Sequence, residues 1–134
     1  MKNGIKYLII GCLCLFINFL GHTQVNNSSQ IHEAIKASDA KKLTSFLHET
    51  VNYEYLGAAK TVSKTVAEFF MKDFFSKNQV ESVKLIKKAT INNQQSYLLF
   101  SYLAKTGAYK IYLGNNSRNG NTLVDKIKIS KQDE

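Results

Sequence analysis

The sequence predicts an α+β domain in which helices cover one face of an antiparallel sheet. Three observations carry that reading. Apolar residues recur at helical spacing in the first half, at Ile31, Ala34 and Ile35 and again at Val66, Phe69, Phe70 and Phe74. Beyond Asn78 they alternate with polar residues in long runs broken by Asn- and Gly-containing turns, the pattern of strands and hairpins. A length of 134 residues with 44% apolar side chains suits one small globular domain. Helices first and strands afterwards segregate into two layers.

The chain opens with a different pattern. Lys2 and Lys6 precede an almost wholly apolar run from Tyr7 to Leu20, and Gly21-His22-Thr23 supplies small residues at its exit. This is the pattern of a secretory signal peptide over residues 1–23, cleaved before Gln24, with export to the periplasm or beyond. The run is shorter than the roughly 20 apolar residues of a membrane span. Ile9-Ile10-Gly11-Cys12 looks like a lipoprotein box, yet the apolar run continues past Cys12, whereas a lipidated cysteine closes it. Cys12 and Cys14 therefore read as small hydrophobes within the leader. Residues 24–134 keep 16 basic and 10 acidic side chains and no cysteine, which excludes thiol catalysis, thiolate metal sites and disulfides.

Residues 24–29 read as a polar tether ending in a capping signal, and 30–131 as a single domain. From Gln30 the spacing of Ile31, Ala34 and Ile35 predicts a helix. Ser38-Asp39 marks a break and a second cap, after which Leu43, Phe46 and Leu47 predict a short helix ending near His48. Val51, Tyr53 and Tyr55 alternate with Asn52 and Glu54, a strand over 51–56 that turns at Gly57-Ala58. Ser63 opens the strongest helix, whose stripe of Val66, Phe69, Phe70 and Phe74 is widened by Ala67, Met71 and Phe75, and Asn78 ends it. Four strands follow: one through Val83, Leu85, Ala89 and Ile91, then 97–104, 109–113 and 123–129.

Turn chemistry suggests registers. Gly107 and Gly120 each fit the left-handed place that closes a three-residue hairpin loop. A 118–120 loop sets Leu113 opposite Asp125, Ile111 opposite Ile127 and Tyr109 opposite Ile129. A two-residue Asn119-Gly120 turn would set Leu113 against Lys126, on the wrong face. A 105–107 loop sets Leu103 opposite Tyr109 and Leu99 opposite Leu113. One sheet face is then lined by Leu99, Leu103, Tyr109, Ile111, Leu113, Leu123, Ile127 and Ile129. The other carries Leu98, Phe100, Tyr102 and Tyr112 among Lys110, Lys126 and Lys128.

The element order resembles the nuclear transport factor 2-like (cystatin-like) cone fold. Ser63-Lys64-Thr65-Val66-Ala67 continuing to Lys72-Asp73-Phe74-Phe75 is similar to the signature of a secreted family typical of Bacteroidota, domain of unknown function 4783. So are Tyr97-Leu98-Leu99-Phe100 and Thr106-Gly107-Ala108-Tyr109-Lys110-Ile111-Tyr112, with Phe100 where a glycine is expected. The resemblance covers about residues 30–130 and implies a cone of helices on a curved sheet. It brings no established activity, since the superfamily holds isomerases and dehydratases alongside non-catalytic binding and dimerisation domains.

The chemistry-bearing residues are few. His32 and His48 lie in separate predicted helices without ligand spacing, so no metal or other cofactor is expected. His48 reads as a favourable dipole contact near a helix C-terminus. Asp73 reads as a solvated helix residue beside Lys72 and Lys77. Asp125 is the carboxylate on the apolar register; deep in a cone it would act as a general base with Tyr109 or Tyr53 donating hydrogen bonds, and at the rim it stays hydrated. Of the 16 basic residues, Arg118 alone is not lysine, and their spread argues against nucleic acid. The pocket is expected to be lined by Phe70, Phe74, Leu99, Leu103, Tyr109, Ile111, Leu113 and Ile127. Phe100, Tyr102 and Tyr112 are expected to form a homodimer interface on the outer sheet face. The expected role is an exported, non-catalytic domain that binds a small apolar ligand or an envelope protein. The alternative is an isomerase- or dehydratase-like enzyme using Asp125.

Overall fold

A computed structural model describes residues 27–133, so the leader, its two cysteines and the start of the tether lie outside it. Helix α1 spans Asn27–Lys36 and turns Ile31, Ala34 and Ile35 fully inward. Its first turn takes up residues 27–29, expected as tether. Ser38 adopts a left-handed φ of 53°, and the Asp39 carboxylate then caps α2, Ala40–Thr44, by accepting the Lys42 amide at 3.0 Å. This second helix stops four residues short of the expected end. Thr44 and Ser45 donate their hydroxyls to carbonyls three residues back, at 3.0 and 2.6 Å, and Leu47 is drawn into a strand instead. Sheet pairing outweighs the helical spacing of Phe46 and Leu47, because Leu47 pairs with Val124 and the Phe46 carbonyl accepts the Val124 amide at 2.8 Å. His48 is consequently a strand residue, with Nε2 3.0 Å from the Asn116 carbonyl, and not a helix-end cation.

Strand β1 (Leu47–Tyr55) turns back at Leu56 and Gly57, whose φ values of 49° and 91° are those of a primed hairpin turn. It leads into β2, Ala58–Ser63, a strand the sequence does not announce because almost all of it is exposed and Ala-Ala-Lys shows no apolar alternation. Ser63 accepts the Val66 amide at 3.2 Å and starts α3, Lys64–Lys77. The buried stripe of α3 is Ala67, Met71, Phe74 and Phe75, rotated from the expected one; Val66 and Phe69 face outward, Phe69 with 67% of its surface exposed. Strands β3 (Val80–Thr90), β4 (Gln95–Ala104), β5 (Gly107–Arg118) and β6 (Asn121–Lys131) complete the sheet in the order β2-β1-β6-β5-β4-β3. Every pairing is antiparallel except β1 with β6.

Both hairpin registers differ from expectation, with different consequences. The β4–β5 turn is two residues, Lys105-Thr106, so Tyr102 faces Tyr109, Phe100 faces Ile111 and Leu98 faces Leu113. A one-residue shift reverses a strand's faces. Leu98, Phe100, Tyr102 and Ala104 therefore point into the core, and Leu99 and Leu103 point away from it. The β5–β6 turn is the two-residue Asn119-Gly120, with φ of 52° and 78°, and the mismatch it would cause is absorbed by a bulge at Asp125. Asn115 pairs with Val124 and Gly114 with Lys126, leaving Asp125 as the extra residue. Leu113 then meets Ile127 and Ile111 meets Ile129, two residues from the expected partners but on the expected face.

The β4 register is held by Asn78, which is 6% exposed. Its amide N–H and its Nδ2 both donate to the Phe74 carbonyl, at 2.9 and 3.0 Å, closing α3. Its carbonyl accepts the Tyr102 hydroxyl at 2.6 Å, and its Oδ1 accepts Thr106 at 2.6 Å and Tyr109 at 3.0 Å. Removing this side chain strands the Thr106 and Tyr109 hydroxyls, the latter deeply buried, and each such loss costs about 1–3 kcal/mol. Asn78→Ala is expected to lower unfolding stability by about 3 kcal/mol, and Tyr102→Phe by about 1 kcal/mol. Urea denaturation measures both; a loss below about 1 kcal/mol for Asn78→Ala removes Asn78 from this role.

Candidate functional site

The sheet curves around α3, and at the Asn78 end the two layers part to leave an open recess of about 270 Å³. Four aromatic rings wall it: Tyr53 and Tyr55 from the inward register of β1, Phe70 and Phe74 from α3. Phe70 lies 5.0 Å from Tyr53 between ring centroids, and Phe74 meets Tyr55 edge-on at 6.2 Å. Asp73 and Lys77 form the helix side of the rim, paired at 3.0 Å, and Ala58 and Lys60 of β2 form the other. The strand period of two puts Tyr53 and Tyr55 on one face, and helical spacing puts Phe70 beside Phe74.

Burial pushes the Tyr53 phenol up to about 12, helped by Tyr55 and the Asp73 carboxylate nearby. The recess thus presents a phenol that stays protonated, a donor for a polar atom on an otherwise apolar ligand. Tyr102 is likewise pushed up to about 12, chiefly by burial. Such groups hold their protons more tightly in the folded chain than in the unfolded one. Their contribution to stability is complete below about pH 10 and is lost as pH rises through about 12.

The residues expected to share one site are divided. Phe70, Phe74 and Tyr53 line the recess. Ile111, Leu113 and Ile127 are sealed in the core, and Tyr109 is 5% exposed with its hydroxyl on Asn78. Leu103 is 43% exposed, and Leu99 floors a trough on the far face of the sheet. Phe100 and Tyr102 have no exposed surface, so the expected three-residue interface does not form; Tyr112 alone lies on the outer face, stacked on Tyr97 at 5.2 Å. The register shift in β4 is the cause.

Asp125 does not meet Tyr53 or Tyr109. It occupies the β6 bulge, where it accepts Asn116 Nδ2 at 3.3 Å and pairs with Arg118 at 3.8 Å. Tyr109 is level with Lys131, six residues along the strand and so about 20 Å away. His32 and His48 each face a backbone carbonyl, of Val83 at 3.1 Å and Asn116 at 3.0 Å. Among the described residues no three His, Cys, Asp or Glu side chains converge. Tyr55, Asp73 and Asn78 complete the site; Tyr55 follows from the strand period that sets it beside Tyr53, whereas Asp73 and Asn78 are marked only by their neighbours.

Helices on the inner face of a curved, six-stranded sheet, with a recess between the layers, define an α+β cone of the cystatin-like, nuclear transport factor 2-like class. The chain belongs to the family described as Domain of unknown function (DUF4783), whose model matches residues 28–130. Its fold is similar to that of a DUF4783 family protein from Bacteroides ovatus, with a TM-score of 0.74 and 21% identity over 78% of this chain and 94% of that one. A relative from Bacteroides uniformis gives 0.74 at 19% identity, covering 79% and 97%. A cystatin-like domain of unknown function from Nostoc punctiforme gives 0.63 at 10% identity, covering 84% and 81%. No curated protein matches the chain.

Two outcomes test this geometry. A tyrosinate absorbance titration is expected to show late-ionising phenols, one removed by Tyr53→Phe and one by Tyr102→Phe, beside Tyr112, which burial also pushes up, with stability falling between about pH 10 and 12. Asp125→Asn is expected to change stability by less than about 0.5 kcal/mol, because its ion pair is long and its Arg118 partner largely exposed.

Proposed function

We propose that this protein is an exported, non-catalytic binding domain whose aromatic recess takes a small apolar ligand. The observation that carries the reading is the open space between Tyr53, Tyr55, Phe70 and Phe74. Tyr55 and Phe70 are not fully covered and would gain by burial, and with the buried Tyr53 and Phe74 they wall a cavity large enough for a ligand of one or two rings. The buried phenol of Tyr53 gives such a ligand a hydrogen bond and an orientation. The leader pattern of residues 1–23 supports export. The non-catalytic character rests on Asp125, the carboxylate suited to base chemistry by register, being engaged with Asn116 and Arg118 away from the recess.

Filling the recess tests this reading. The neutral fluorophore N-phenyl-1-naphthylamine is expected to bind the wild-type chain with enhanced fluorescence. Tyr55→Trp, at a position already 36% exposed, is expected to weaken that binding at least about fivefold by occupying the space, with the urea midpoint unchanged. Undiminished binding to Tyr55→Trp, or none to the wild type, overturns the proposal.

A further inference from the structure

The outer face of the sheet is a second surface with its own chemistry. Outward positions follow from the register: Lys84, Lys87, Lys110, Lys126 and Lys128 share this face, against Glu54 and the bulged Asp125, which is already paired with Arg118 and lies near Tyr112. The helices are nearly balanced by comparison, with six lysines against Glu33, Asp39, Glu68 and Asp73. Positive charge is therefore concentrated where the sheet has no covering layer.

Within this face lies a shallow trough of about 370 Å³ along β5 and β6. Leu99 and Tyr112, directly paired, make its floor, and the Tyr112 ring stacks on Tyr97 and lies over Gly114. Lys126, Lys128 and Lys110 stand at three successive outward rungs, opposite Gly114, Tyr112 and Ser130. Outward rungs repeat at about 7 Å, twice the rise of a strand residue. An extended polypeptide with acidic side chains at alternate positions carries its carboxylates at that same repeat. Glu54 already shows the contact, with its carboxylate 3.1 Å from Lys128 Nζ.

We infer that this trough is a docking surface for an extended acidic peptide segment of another protein, its alternate carboxylates paired with Lys110, Lys126 and Lys128 and an intervening apolar side chain on Leu99 and Tyr112. A second copy of the chain is the wrong occupant, because a two-fold contact sets a patch against itself and would bring lysines onto lysines. A flat anionic bilayer also fits poorly, because the apolar groups floor a depression and do not protrude.

The test uses the full chain and a synthetic peptide with glutamate at alternate positions and one central leucine. Binding is expected to weaken as salt is raised. The variant carrying Lys110→Gln, Lys126→Gln and Lys128→Gln is expected to lose at least about tenfold in affinity, while Lys41→Gln with Lys42→Gln on α2 changes it less than about twofold. Glu54→Gln is expected to tighten binding by freeing Lys128, a gain that misfolding cannot produce. Four results overturn the inference: unchanged affinity in the triple variant, no gain in Glu54→Gln, equal binding of a peptide with the same glutamates in one contiguous block, or equal binding of inorganic polyphosphate at matched charge. A dimer in sedimentation that Lys128→Glu dissociates assigns the face to self-association and overturns it as well.

Discussion

One buried amide holds the two layers of this protein together. Asn78 ends α3 with its backbone and side-chain nitrogens and binds the β4–β5 hairpin with its two oxygens. Interior polar groups are tolerable only when satisfied, and here satisfaction requires Tyr102, Thr106 and Tyr109 to arrive together from the sheet. That requirement selects the face of β4 that points inward, and with it the packing of Phe100 and Tyr102 against α1 and α3. Phe74 and Phe75, one turn back on the helix, lie 5.2 and 6.2 Å from the Tyr102 ring, so the polar anchor and the aromatic core reinforce each other.

The anchor also shapes the recess. With α3 fixed to the hairpin at Asn78, its Phe70 and Phe74 rings meet Tyr53 and Tyr55 of β1 around the gap that the four of them line. Packing density elsewhere is that of a closed core, with Ile111, Leu113, Ile127 and Ile129 wholly covered. The gap is local. The Tyr53 phenol in its wall is kept neutral chiefly by burial.

The two faces of the sheet have diverged in character. The inner face takes up most of the apolar side chains that the strands carry, and the outer face is left with lysines standing around a tyrosine stack and Leu99. A lysine stem lies comfortably over apolar surface while its ammonium stays in water, so such a face remains soluble without a partner. Membership of DUF4783 accounts for the shared cone; surface charge is a property of this chain's own side chains and is free to vary on a conserved frame.

Periodicity and capping chemistry determined most of the local structure. The 3.6-residue spacing of Ile31, Ala34 and Ile35, the Asp39 and Ser63 caps and the Asn78 stop all express interactions within a few residues, and these survive into the fold. Inward and outward assignment on β5, and on β6 from Ile127 onward, was equally legible, since a shift of two residues preserves parity; before the Asp125 bulge the parity reverses, and Val124, not the expected Leu123, turns inward. The tertiary structure decided what depends on distant partners. Leu47 left its helix for Val124; β2 formed on β1 with no apolar pattern of its own; and β4 turned over because Asn78, 24 residues before Tyr102, holds its hydroxyl. A two-residue and a three-residue loop differ locally by little, but they place opposite faces in the core, and only the long-range bonds separate them. That choice brings Leu99 to the trough, whose Tyr112, Lys110, Lys126 and Lys128 the alternation had already set on the outer face, whereas the recess between β1, β2 and α3 depends on how the helix packs on the sheet.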